Sequence, residues 1–177
     1  MNGKKYVLVR SDKKEFAGKN LFRIRALKDF SVFRKGEFGG YVEKETNLSQ
    51  EGDAWVYGNA RVYDNVRVYG NAGVYGNAEV YENAKVSGNV RVYENANVFG
   101  DARVYCNANV FGDAEAYGNA RVYGDAKVYG HAWVFDDAWV SDDAKVYENA
   151  KVYGNAWVSG NAKVYGNAKV NVNERLG

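Results

Sequence analysis

From Val56 to Arg175 the chain is written in words of six residues without insertion: VYGNAR, VYDNVR, VYGNAG, VYGNAE and onward through twenty units. The first position is Val in every unit but one, which has Ala116, and the fifth is Ala in seventeen. A short period kept this strictly requires each unit to meet the same surroundings as the next, so the fold is a stack of repeats. Within a word, small, polar, apolar and aromatic residues alternate, as in Ala60-Arg61-Val62-Tyr63. That period of two predicts a four-residue strand with Ala and Val on one face. The fourth position holds fourteen Asn, five Asp and one His, His131. These are the non-glycine types enriched at positive φ and able to bond nearby backbone. The slot is therefore expected to be a left-handed turn residue, usually preceded by Gly.

Two architectures use a short strand and a two-residue turn. In a hairpin meander, Gly-Asn would close each turn and set Tyr57 beside Ala60 on one face, mixing the aromatic and small-residue faces. In a solenoid the chain turns a corner and continues, so every Ala and Val points inward and every Tyr outward. Only the solenoid keeps the two sets apart. Composition agrees: Val and Ala replace Leu and Ile, aromatics reach 15%, and Pro is absent, a bias that suits stacked β-structure.

The repeat resembles the hexapeptide-repeat, left-handed parallel β-helix family over roughly residues 41–175. The resemblance implies a triangular prism with three hexads, 18 residues, per coil, and parallel trimers. The chain supports that register: Ser87, Ser141 and Ser159 are separated by multiples of 18, Trp139 and Trp157 by 18, and Lys127, Lys145 and Lys163 by 18 each. The expected fold is thus all-β, a left-handed parallel β-helix over residues 41–177 with an N-terminal β cap over residues 1–40. In the cap, KKYVLV and LFRIRAL read as strands and KGEFGGYV as a glycine turn into the solenoid. Between Val42 and Val56 the period slips by two, with Leu48 as an intermediate aliphatic position, which predicts an irregular first coil. The stretch ALKDFSVFRKGEFGGYVEKETNLSQEGDAWVYGNA, through Ala26-Leu27, Asp29-Phe30, Lys35-Gly36, Gly39-Gly40, Leu48-Ser49-Gln50, Gly52 and Trp55, is similar to the start of YdcK-type β-solenoid proteins. Such proteins carry an acyltransferase label on fold alone, which is weak evidence for chemistry.

A net charge of +2 points to no particular partner. The single Cys106 excludes an intramolecular disulfide. The start, MNGKKYVLVRSDKKEF, has no apolar run of signal length, and no stretch is long enough to cross a bilayer. The expectation is a cytoplasmic protein of a bacterium or a phage-infected cell, with no membrane contact.

Hexapeptide acyltransferases, as the resemblance has it, use a His general base and bind acyl-CoA along a groove between solenoids. His131 would then be the base, with Asp113 one coil before it as the group that holds its tautomer and Asn149 one coil after. Against this, the slot admits Asn, Asp and His for backbone reasons, and no loop interrupts the coils to build an acceptor pocket. The expectation leans to no catalytic residue and no cofactor, with acetyl-CoA or another acyl-CoA entering only under the enzyme reading.

The 18-residue register gives three outer faces. The first carries a Tyr57–Tyr165 aromatic column beside Trp55, Gly73, Arg91, Asn109, Lys127, Lys145 and Lys163. The second carries a Tyr63–Tyr153 column beside mixed charges and Trp133. The third carries Arg67, Lys85, Arg103, Arg121, Trp139 and Trp157 beside Tyr and Ser. Exposed rings flanked by cations are suited to grip sugars, bases or a protein. The leading expectation is a non-catalytic binding or structural solenoid that contacts protein or glycan. Its candidate binding residues are a Trp133, Trp139, Trp157 patch and the Lys127, Lys145, Lys163, Tyr129, Tyr147, Tyr165 face. An anionic ligand on that Lys/Tyr face is a further alternative. Corner acids balance the cations and argue against nucleic acid. The exposed aromatic area predicts self-association, with a trimer as the first expectation. No metal site is expected, since Asp125 over Asp143 is read as solvated turn carboxylates.

Overall fold

Parallel strands pair residues 18 apart in the computed structural model, which describes residues 3–171 and 174–177. Arg61 lies against Glu79, Arg91 against Asn109 and Arg103 against Arg121. Three hexads make one turn, and the turns stack into one ten-stranded and two seven-stranded sheets. The chain is an all-β solenoid of about seven turns, and no meander occurs among the described residues of the repeat. The last hexad, 170–175, includes Val172 and Asn173, which lie outside the described residues.

The first and fifth positions build the core. From Val56 to Val158 every described Val or Ala in these slots is buried, in one continuous cluster. Strands are mostly two residues, such as Arg61–Val62 and Lys127–Val128, not the four expected. Ala60 and Tyr63 already bend into the corners, yet the ladder of hydrogen bonds continues through them: the Tyr63 N–H donates to the Val80 carbonyl and the Asn59 N–H to that of Gly76.

The turn residue is corrected by one position. Positive φ falls on the third slot, with +68° at Gly58, +61° at Asp64 and +63° at Cys106. The fourth slot has ordinary φ and is chosen for its side chain. Asn59 donates to Asn77, Asn77 to Asn95, and Asn95 to Asp113, at 3.3, 3.2 and 2.9 Å. A second corner repeats the pattern through Asn71, Asn89, Asn107 and Asp125. Each amide gives an N–H to the oxygen of the next turn, a chain only a carboxamide can extend in both directions. Asp ends it, having an acceptor but no donor. At four acidic third slots, Asp64, Asp136, Asp142 and Glu148, the carboxylate accepts the corner N–H of the following turn, as Asp136 does from Gly154 at 3.2 Å and Glu148 from Gly166 at 2.8 Å.

The N-terminal segment forms β1 (Tyr6–Phe16), β2 (Lys19–Ala26) and β3 (Phe38–Val42). β1 pairs with β2 and β2 with β3, both antiparallel, and β3 joins Arg61–Val62 in parallel, so the hairpin continues the ten-stranded sheet. Gly39 is required here, because a Cβ would sit 2.5 Å from the Val56 carbonyl oxygen. Between β3 and Trp55 the expected irregular coil contains a 3₁₀ turn at Glu45–Asn47. Leu48 bridges to Val68 and supplies the missing core aliphatic.

Trp55, which the register places in an exposed basic column, is instead buried, with 1% of its surface exposed. Tyr6, Phe30 and Phe33 pack around it with ring centroids 5.0–5.9 Å away. The cap covers this rung of the first face.

Candidate interaction faces

The first face stacks its rings. From Tyr57 to Phe111 and on through Tyr129, Tyr147 and Tyr165, each ring lies parallel to the next, with centroids 4.8–5.4 Å apart. The strand spacing sets this distance. Burial by neighbouring rings pushes Tyr75, Tyr93 and Tyr129 above the ordinary phenol range. Because each ring spends its faces on its neighbours, the ladder offers solvent only edges and hydroxyls. A sugar or base needs a free ring face, and the exposed one here is at the end of the column, on Tyr165. Lys127, Lys145 and Lys163 run beside the rings on successive rungs. They line one groove with Asp125, Asp143 and Asn161, so the cations of this face have acids next to them.

The second face holds His131. Its Nδ1 lies 3.5 Å from Asp113 Oδ2, with the side chains 68% and 51% exposed. The expected Asp113–His131 adjacency is present. Glu115, Trp133, Asn149 and Lys151 share the open groove around it. Lys151 Nζ stands 3.7 Å above the Trp133 ring, and Tyr117 and Phe135 meet that ring by their edges. In the fourth slot His131 also occupies a rung position, beside an Asp113 that has no donor to pass onward.

The third face carries the tryptophan pair. Trp139 and Trp157 are direct rung neighbours with centroids 5.5 Å apart. Trp133 belongs to another sheet, so the three tryptophans do not form one patch. The triad expected from sequence is corrected to a pair on the third face and a single ring on the second. Small Ser141 makes room for the pair: it is buried, and its hydroxyl accepts from Trp157 Nε1 at 3.3 Å. Guanidinium groups close both ends, Arg121 4.6 Å from Trp139 and Arg175 5.3 Å from Trp157.

Sequence reasoning missed the side chains that hold the cap. Lys5 is buried, and its ammonium donates to the Glu51, Gly52 and Ala54 carbonyls at 3.5, 3.1 and 2.8 Å. Burial lowers it to about 8. Nothing in KKYVLV distinguishes Lys5 from its exposed neighbour Lys4. Among the described residues no cluster of His, Cys, Asp or Glu fits a metal ion, and no helix is long and apolar enough to cross a membrane.

With this geometry, the chain's first regular turns are similar to a known repeat. The family model described as YdcK Beta solenoid repeat matches residues 54–70 and 60–76, from the cap junction into the second turn. No curated protein matches the chain.

Proposed function

We propose that this chain is a non-catalytic solenoid that presents its outer faces to a protein or glycan partner. The observation that carries the reading is the stacking of the aromatic columns, which leaves edges, hydroxyls and cations facing outward along uninterrupted turns. Protein is the favoured partner, because edges and guanidinium groups suit a polar protein surface better than a sugar ring, which packs on an aromatic face. The Trp139–Trp157 pair is the anchor, as buried tryptophan and arginine dominate interface energies. Exposed Tyr57, Tyr69 and Tyr165 support self-association, with a trimer as the working assembly. The cytoplasm is the proposed compartment.

The test is capture from the native cell with wild type and with Trp139→Ala/Trp157→Ala, alongside a glycan array. Loss of the captured protein in a folded double variant supports the reading. Glycan binding that survives the double variant points to another face.

One observation favours a second reading, a CoA-dependent acyltransferase: the 3.5 Å approach of His131 Nδ1 to Asp113. A base oriented by a carboxylate would take a proton from an acceptor hydroxyl or amine. Acyl-CoA raising the melting temperature of wild type but not of His131→Asn would support it.

A further inference from the structure

We propose that the third face is a docking strip for an extended, acidic protein segment. This rests on the interaction reading above and names its partner chemistry. Arg67, Lys85, Arg103 and Arg121 stand on four successive rungs in direct parallel register. Trp139, Trp157 and Arg175 continue the same column. No acid occurs anywhere in it.

Like charges set directly opposite across strands repel, and elsewhere the solenoid relieves this. On the second face Arg61 is paired with Glu79. On the first, the lysines share their groove with Asp125 and Asp143. The ion pairs of the described residues involve Lys4, Lys19, Arg23, Arg34, Arg61 and His131, and none involves the third-face column. The corner leading into it contributes Asp64, Glu82, Asp101, Asp136 and Asp137; Asp64 is taken by Lys19, and none of the others is ion-paired with the column. Arg67, Lys85 and Arg103 are exposed. A stack of exposed cations with no ion-pair partner is what an anionic segment laid along it would engage.

Geometry favours a peptide. Four rungs span about 14 Å, and an extended chain presents same-face side chains about 6.7 Å apart, so three alternate carboxylates cover the four cations. Guanidinium forks take carboxylates with two parallel bonds. The hydroxyls of Tyr69, Ser87, Tyr105 and Tyr123 run alongside and can bond a peptide backbone. Single-stranded nucleic acid needs ring faces for its bases, and here Arg121 covers Trp139, Arg175 covers Trp157, and Tyr105 stacks on Tyr123.

The probe is a fluorescein-labelled peptide of alternating Glu and Ser, about nine residues long to span the strip when extended. Its controls are the Gln-for-Glu peptide and an oligothymidylate of equal charge, all read by anisotropy with the whole chain. Arg67→Gln/Lys85→Gln/Arg103→Gln is expected to weaken the Glu peptide by about tenfold. Lys127→Gln/Lys145→Gln/Lys163→Gln removes the same charge from the first face and is expected to weaken it by less than about threefold. Absence of wild-type binding, equal losses in the two triple variants, or tighter binding of oligothymidylate would each overturn the strip. The interaction reading fails separately. If the peptide binds the strip but the cellular partner is indifferent to the Arg/Lys and Trp variants, that reading falls and the strip stands. If the partner depends on Trp139 and Trp157 while no acidic peptide binds, the reverse holds.

Discussion

From Gly70 to Gly166 each turn is tied to the next by a repeating backbone ladder, whereas between Val42 and Val56 much of that task passes to individual side chains. Tyr6 places its hydroxyl 2.9 and 2.8 Å from the Glu45 and Leu48 carbonyls. Asn47 donates to Asp64 and Val66, and Gln50 accepts from the Lys5 and Tyr6 N–H groups. The regular turns spread stability over many equivalent bonds, so the loss of one is shared by neighbours. The junction concentrates it in a few residues with no substitute. A repeat array built this way is expected to tolerate damage in its middle and fail at its cap.

The sharpest test is Trp55→Ala. The ring fills the space between Tyr6, Phe30, Phe33 and the first core rung, so truncation is expected to cost about 4 kcal/mol in urea unfolding. Its buried indole N–H has no partner. Trp55→Phe discards that unsatisfied donor and keeps most of the ring, so it is expected to cost less than half as much. If alanine at 55 costs no more than alanine at Tyr93 in the ladder, the cap is not the weak point.

Lys5→Met follows, at about 3 kcal/mol, because it leaves the buried Ala54 carbonyl and the partly buried carbonyls of Glu51 and Gly52 without this donor. Its pH signature separates cap from ladder. Lys5 titrates near 8 in the folded chain against 10.5 ordinarily. Between these values the unfolded chain binds the extra proton, so stability rises with pH. The ladder acts oppositely. Burial pushes Tyr81 from 10.0 up to about 12, and Tyr63 higher still. Above pH 10 the folded chain keeps protons the unfolded chain has lost, so stability falls with pH. The wild-type melting temperature should gain modestly from pH 8 to 10 and then drop. Lys5→Met should lose the gain and keep the drop.

Corner substitutions are smaller in effect. Gly88 has φ +84°, and a Cβ there would lie 2.6 Å from the Cys106 carbonyl oxygen. Gly88→Ala is expected to cost about 2 kcal/mol, combining left-handed strain with displacement of the next turn. The slot itself admits side chains: Glu94 sits at +62°. A cost at Gly88 well above that of a Glu94→Ala control would place the penalty in the close approach to the next turn rather than in φ alone.

The solenoid and its 18-residue register were legible because Val and Ala alternate with polar residues in every word, and the constraint repeats twenty times. The turn slot was misplaced because Asn is enriched both at positive φ and in side-chain ladders, and composition does not separate the two. Trp55 was read as exposed because a register describes one prism and knows nothing of the hairpin folded over it. The register already divides the three tryptophans between two faces, and a single patch of all three overlooks that division. The cation column on the third face was visible as letters. Its lack of ion pairs was not, since that depends on where the corner acids point.

The smallest effect concerns His131. Asn95→Ala removes the donor to Asp113 and the acceptor of Asn77, and is expected to cost about 1 kcal/mol at this exposed corner. His131→Asn restores the carboxamide that most rungs carry, so stability should change by less than about 0.5 kcal/mol. The pair of numbers distinguishes a rung from a specialised imidazole. If His131→Asn instead stabilises the chain by more than about 1 kcal/mol, the histidine is held at a cost to the fold. Such a cost is expected of a functional group and not of a ladder filler.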